Sequence, residues 1–233
     1  MYYDYSKILS YKAVFNFIIG ARGCGKSYGA KKMLIKKFIR TGQQFIYLRR
    51  FKTELQKVNT WFDDIASEFP DHEFKVKGKT FYIDGKLAGW AIALSTSQIE
   101  KSNSYKGVKY IMFDEFLIDT TGSYHYLRDE YNVLCQFYST VDRDRDEVSV
   151  LFIGNALSVV NPYFTSLGVK PDPDNIFVKQ AVHKGHKYNL VTCEVFADPV
   201  QVEQARQTRF GLTLADTDIS RFMWDNQFVL DNA

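Results

Sequence analysis

The segment Gly20-Ala21-Arg22-Gly23-Cys24-Gly25-Lys26-Ser27 satisfies the spacing G-x-x-x-x-G-K-[ST], the tightest constraint in the chain on what it can fold into. Glycines at this spacing let the backbone wrap a phosphate chain with its N–H groups pointing inward. The lysine reaches the outer phosphates and the serine hydroxyl coordinates Mg²⁺. Such a loop needs a strand before it and a helix after it, and both are legible. Val14 to Ile19 reads as a buried strand, and Tyr28 to Arg40 as a helix with apolar positions at Ala30, Met33, Leu34 and Phe38. The helix N-terminus adds partial positive charge facing the phosphates. The stretch Gly20 through Tyr28 is therefore read as a nucleoside triphosphate site, with Cys24 as a small filler contributing only its backbone.

A second segment supports the first. Tyr110-Ile111-Met112-Phe113 is an apolar run that ends in Asp114-Glu115. A buried strand delivering acids at its C-terminal end places them beside the phosphate loop of an open α/β sheet. Asp114 is then expected to hold Mg²⁺ together with Ser27, and Glu115 to polarise an attacking water, which favours hydrolysis over transfer to a small acceptor.

Composition narrows the setting. With 45% hydrophobic and 24% charged residues in 233, the chain can build one large α/β domain and is not disordered. A net charge of +3 permits contact with nucleic acid without requiring it. The aromatic share, 16%, is read first as core filling. No apolar run approaches the ~18 residues of a membrane span, so no membrane partner is expected. Cys24, Cys135 and Cys193 have no C-x-x-C spacing, which suggests neither a disulfide framework nor a zinc site and points to a reducing cytoplasm.

Along the chain, strands are expected at Gln44–Leu48, Trp90–Leu94, Val148–Ile153 and Lys187–Val195, with a hairpin of Phe74–Val76 and Thr80–Ile83 about Lys77-Gly78-Lys79. Helices are expected over Glu54–Phe69 and Tyr124–Tyr138. Asn161–Asn175, with three prolines, reads as a loop or the start of a linker, and the remainder from Asp198 carries one helical pattern. The expected fold is α/β, a P-loop NTPase with a mainly parallel sheet covered by helices on both faces.

Among such folds, the N-K-x-D element of a regulatory GTPase is absent from the sequence. A small-molecule kinase would need an arginine-rich lid and would lack the glutamate beside Asp114. The pattern fits the class with a catalytic glutamate and an added strand between the phosphate loop and the acidic strand, here placed around Trp90–Leu94. Asn155 then sits where such enzymes keep a polar sensor of the γ-phosphate, or caps a turn. In the run Asp142-Arg143-Asp144-Arg145-Asp146-Glu147, a solvated turn and an arginine finger reaching a neighbouring subunit are both open. Arg49, Arg50, Lys52 and Lys57 form the best local basic cluster, and a solvated surface and a grip for DNA phosphates are both open readings of it. A motor, a helicase or helicase loader, and a nucleotide-gated binding module all remain compatible with these features.

Beyond the nucleotide motifs, the segments Gln44-Phe45-Ile46-Tyr47-Leu48-Arg49-Arg50, Glu68-Phe69-Pro70-Asp71-His72-Glu73, Phe81 through Ile92, Glu100-Lys101-Ser102-Asn103, Val159-Val160-Asn161-Pro162-Tyr163-Phe164 and Thr208-Arg209-Phe210-Gly211 resemble the genome-packaging ATPases of small podoviruses of the Picovirinae type. The resemblance implies an ATP- and Mg²⁺-dependent motor that pushes double-stranded DNA into a prohead. It would act in the infected cell's cytoplasm as a homo-oligomeric ring, a pentamer, at the portal vertex, with packaging RNA where the family uses one. It also places Arg143 on the family's trans-acting arginine and makes Lys101 a second candidate for reaching a neighbour's nucleotide. Family members continue into a nuclease-like domain, so residues 1–197 are expected to be the ATPase domain and 198–233 the start of a helical linker, with that further domain absent.

Overall fold

The computed structural model describes residues 2–119, 124–214 and 217. In chain order its regular elements are α1 (Ser6–Ser10), β1 (Phe15–Gly20), α2 (Lys26–Thr41), β2 (Gln44–Arg49), β3 (Phe74–Lys77), β4 (Thr80–Ile83), β5 (Lys86–Ala93), β6 (Val108–Asp114), α3 (Glu130–Asp142), β7 (Ser149–Gly154), α4 (Pro162–Leu167), β8 (Phe177–His183), β9 (His186–Phe196), α5 (Pro199–Arg206) and α6 (Arg209–Thr213). They gather into two compact units. One holds the described residues of 1–29, 117–125 and 152 onward; the other holds 30–116 and 126–151.

In the first unit, β1 is buried at all six positions and pairs in parallel with β9, from Phe15 opposite Val191 to Gly20 opposite Phe196. A strand covered on both faces needs a continuous apolar run, which Phe15-Asn16-Phe17-Ile18-Ile19 nearly is. The exception, Asn16, is satisfied internally: its amide donates to the Ala13 carbonyl at 3.0 Å and its oxygen accepts from Thr192 Oγ1 at 2.8 Å. Phe17 stacks on Phe152 with ring centroids 4.2 Å apart. β8 pairs antiparallel with β9, an element not expected from sequence because its half-solvated face carries little apolar signal.

In the second unit, the strand order is β3-β4-β5-β2-β6. β2 runs parallel to both β5 and β6, and β3, β4 and β5 form an antiparallel meander whose first turn uses Gly78 at φ 60°. The sheet is thus mixed, parallel inside and antiparallel toward its edge. This corrects one expectation: the strand around Trp90–Leu94 pairs with β2, which separates it from β6, so it does not stand beside the acidic strand. A meander ending in β5 leaves β5 one free edge, and β2 takes it.

Four further expectations are corrected. The Glu54–Phe69 helix is instead three short 3₁₀ turns, Lys52–Leu55, Val58–Thr60 and Ala66–Glu68. Trp61 and Phe62 are neighbours yet both point inward, Trp61 onto Phe45 and Phe81 and Phe62 onto Phe74. An α-helix would turn them ~100° apart. The Thr60 hydroxyl also bonds the Lys57 carbonyl at 2.9 Å, competing with helical pairing. The helix expected at Tyr124–Tyr138 starts only at Glu130, after Asp129 in the left-handed region at φ 55°, and runs on to Asp142.

The Asn161–Asn175 stretch is not a linker: it contains α4 and leads into β8. Its start signal was present in the sequence, since Pro162 suits the first helical position and Asn161 Oδ1 accepts from the N–H groups of Tyr163 (3.1 Å) and Phe164 (3.0 Å). After Asp198 there are two short helices, α5 and α6, where one was expected; Thr208 caps the second. Residues 218–233, with the end of the expected linker, lie outside the described residues. Asn161→Ala is expected to lower the unfolding free energy by ~1–2 kcal/mol, read as a lower denaturant midpoint at unchanged slope, while Asn161→Asp keeps most of it.

Candidate functional site

The phosphate loop belongs to the first unit. β1 ends at Gly20, α2 begins at Lys26, and Gly23 (φ 81°) and Gly25 (φ 68°) supply the left-handed backbone that turns the chain between them. Lys26 is only 7% exposed. Its ammonium donates to the carbonyls of Gly20 (2.8 Å) and Ala21 (2.7 Å), approaches Asn155 Oδ1 at 3.3 Å, and lies 3.4 Å from Cys24 Sγ. Asn155, at the tip of β7, is therefore brought onto the lysine of the loop. Cys24 does more than fill space, correcting the expectation from sequence: its thiol donates to the Ala21 carbonyl at 2.9 Å. Tyr5 braces the start of α2 through its hydroxyl, which donates to the Lys26 carbonyl at 2.9 Å. Arg22 and Gly23 are exposed and Ser27 and Tyr28 half-buried.

The acidic pair belongs to the second unit. β6 is buried through Phe113 and delivers Asp114 and Glu115 at its end. Glu115 takes a left-handed backbone, φ 57°, which is uncommon for a residue with a side chain. Its carboxylate is 65% exposed and accepts from Arg49 Nη2 at 2.5 Å. The same nitrogen donates to Glu54 Oε1 at 2.7 Å, while Arg49 Nη1 stands 3.9 Å from Asp114 and 3.4 Å from the Tyr47 hydroxyl. Burial, and next the Asp114 charge, push the Tyr47 phenol above its ordinary range, so it stays neutral in this cluster.

Arg49 and Arg50 are corrected as DNA-gripping candidates. Arg49 is committed to the carboxylates just named. Arg50 is 1% exposed and forms a two-point pair with the fully buried Glu130, at 2.8 and 2.9 Å. Its guanidinium also donates to the carbonyls of Glu115 (3.3 Å) and Phe116 (2.5 Å) and lies over the rings of Phe113 and Tyr126. It holds the backbone of the acidic turn in place. Of the basic cluster, Lys52 and Lys57 are the members left exposed. The role of Arg49 was missed because sequence spacing does not show that β2 and β6 are neighbours; the signal available was an arginine ending one strand and an acidic pair ending another.

The alternating charge run folds into a tight turn at the end of α3. The buried Asp142 carboxylate accepts from the N–H groups of Asp146, Glu147 and Val148. Arg145 spends its guanidinium on the carbonyls of Asp142, Val141, Tyr105 and Lys106. Arg143 is exposed and donates to the Asn103 carbonyl at 2.9 Å. The turn is thereby tied to the end of the 3₁₀ segment Leu94–Ser102, which carries Lys101; the Lys101 side chain lies outside the described residues. The two residues expected to act on a neighbour's nucleotide thus sit on adjoining segments.

Among the described residues, no group of three or more His, Cys, Asp or Glu side chains could hold a metal ion. Arg50→Ala is expected to cost ~3–5 kcal/mol of stability by stranding buried Glu130, and Arg50→Lys recovers only part because lysine lacks the two-point geometry; chemical denaturation measures both.

The sequence model of the Podovirus DNA encapsidation protein (Gp16) family matches residues 1–233. The DNA packaging protein of Bacillus phage phi29 is 45% identical over 232 residues, covering 100% of this chain and 67% of that protein. That of Bacillus phage B103 is 44% identical over 225 residues, covering 97% and 67%. Among solved structures, the N-terminal domain of the DNA packaging ATPase from bacteriophage phi29 superimposes with a TM-score of 0.70 at 48% identity, over 81% of this chain and 95% of that one. The ATPase domain of the Thermus phage P74-26 large terminase does so with a TM-score of 0.57 at 13% identity, over 98% and 94%, a likeness that bears on the fold alone.

Proposed function

The chain belongs to the Podovirus DNA encapsidation protein (Gp16) family, and from that premise we propose that it is the ATP-hydrolysing portion of a motor that drives double-stranded viral DNA into a preformed prohead. The observation that carries the proposal is the phosphate loop, in which the buried ammonium of Lys26 is gathered with the carbonyls of Gly20 and Ala21 and the side chain of Asn155. Lys26 would exchange those carbonyls for phosphate oxygens, the loop N–H groups would cradle the phosphate chain, and Asn155 would sense its outermost member. Ser27 and Asp114 would hold Mg²⁺, which neutralises charge on the phosphates when bound.

Glu115 is the residue assigned to water. To orient a water it must offer a carboxylate oxygen, and one of the two is bonded to Arg49. That oxygen is freed when Glu115 parts from Arg49, which has Glu54 as a second carboxylate to rest on. On this reading the chain is a P-loop ATPase of the catalytic-glutamate, additional-strand class, the added strand being other than the one around Trp90–Leu94, with residues 1–197 as the ATPase portion and 198–233 beginning a linker. The chain spans 67% of the length of its phi29 relative.

We further propose a homo-oligomeric ring, pentameric by family resemblance, at the prohead portal, with packaging RNA a partner where the family uses one and the infected cell's cytoplasm as the setting. No helix among the described residues is long and apolar enough to cross a membrane. Arg143, and Lys101 beside it, would reach a neighbour's nucleotide; the exposed Lys52 and Lys57 would contact duplex phosphates.

Two experiments test these assignments. Lys26→Ala is expected to abolish nucleotide binding, whereas Glu115→Gln binds ATP normally and loses at least ~100-fold in turnover; wild-type hydrolysis by Glu115→Gln ends the assignment. For the arginine in trans, inactive Arg143→Ala protein mixed with inactive Lys26→Ala protein is expected to regain part of the wild-type turnover, because each supplies what the other lacks. A mixture as inactive as its parts counts against action across subunits.

A further inference from the structure

The residues ahead of β1 form an aromatic strap whose use the phosphate chemistry leaves unexplained. Tyr3 and Tyr5 are its anchors, 4% and 2% exposed. Their rings meet edge to face at 4.7 Å, and Tyr3 meets Phe196 in the same manner at 5.0 Å. The Tyr3 hydroxyl donates to Glu194 and the Tyr5 hydroxyl to the Lys26 carbonyl. The strap presses so closely on α2 that a Cβ at Gly29 would clash with the Tyr3 carbonyl oxygen.

Tyr2 differs from its neighbours. Its ring stacks on Tyr28, centroids 4.0 Å apart and planes 24° from parallel, and it remains 51% exposed. It also lies over the phosphate loop itself: a Cβ at Gly25 would stand 2.5 Å from Tyr2 Cδ1. Gly25 is thus required twice, for its left-handed φ and for the ring above it. Half of a large aromatic side chain is thus open to a ligand of this loop while its ring is already stacked on a second one.

We infer that Tyr2, backed by Tyr28, is the stacking platform for the nucleobase of the triphosphate held by the loop. The inference rests on the reading of Gly20–Ser27 as a triphosphate site. Tyr28 is the first residue after Ser27, so the ring pair stands at the helix start where the loop ends. A base joined through its ribose to a phosphate chain in this loop has an aromatic face within reach. Stacking on such a face is tolerant of base identity and strong enough to set affinity. The buried hydroxyl anchors of Tyr3 and Tyr5 keep the platform in place before the base arrives, which reduces the ordering cost of binding.

The test compares ATP with inorganic tripolyphosphate, which carries the phosphates without a base, by calorimetry in Mg²⁺ buffer on the full-length protein. Tyr2→Ala is expected to bind ATP about ten-fold more weakly, the low-to-middle range for one lost base stack, and to bind tripolyphosphate as wild type does. Tyr2→Phe, which keeps the ring, is expected to restore ATP affinity. Equal weakening toward both ligands would make Tyr2 a prop for the loop and overturn the inference, as would unchanged ATP affinity in Tyr2→Ala. Should the wild-type protein bind neither ligand, the triphosphate reading of the loop fails and the platform fails with it. Where wild type binds both, the loop reading stands and any failure belongs to the platform alone.

Discussion

A lysine ammonium withdrawn from water must be met by acceptors, and Lys26 is the group on which the first unit is organised. Its partners come from the end of β1, from the loop, and from the tip of β7, so satisfying one charge fixes three segments at once. The rest follows from that need. Cys24 steadies one of the accepting carbonyls, Tyr5 holds the peptide of the lysine itself, and the aromatic strap closes against Gly25 and Gly29.

The second unit solves the converse problem, how to hold carboxylates at a strand end. Arg50 is buried with Glu130 and also donates to the carbonyls of Glu115 and Phe116, so it shapes the turn through the turn's own backbone. Arg49 touches the acidic side chains, and divides its charge between Glu115 and Glu54. Two adjacent arginines thus do different work: one sets the backbone and is inaccessible, the other is exchangeable between partners. The left-handed φ of Glu115 is held against its own preference by the same backbone bonds.

What could be read from residues alone, and what could not, divides along the range of the forces involved. The phosphate loop, its strand and its helix were legible because local rules fix them: an unbroken apolar run, glycines at set spacing, and a 3.6-residue period. The acidic strand was legible for the same reason. The segment Glu54–Phe69 was misread because its apolar residues obey a helical period while tertiary packing of Trp61 and Phe62 decides the backbone. Arg49 and Arg50 looked like a surface cluster because only the pairing of β2 with β6, and the buried carboxylate of Glu130, reveal where they point. The Tyr2 stack was invisible for a similar cause, being a contact between residues 26 positions apart.

The claim that unites these features is that the chain turns over ATP in order to move duplex DNA. It is tested most directly by measuring Mg²⁺-dependent ATP hydrolysis by the full-length protein alone, with double-stranded DNA, and with DNA together with empty proheads. The account predicts a low basal rate that rises several-fold only in the complete mixture, with the duplex remaining unseparated. Hydrolysis indifferent to DNA and proheads, or accompanied by strand separation, would contradict it.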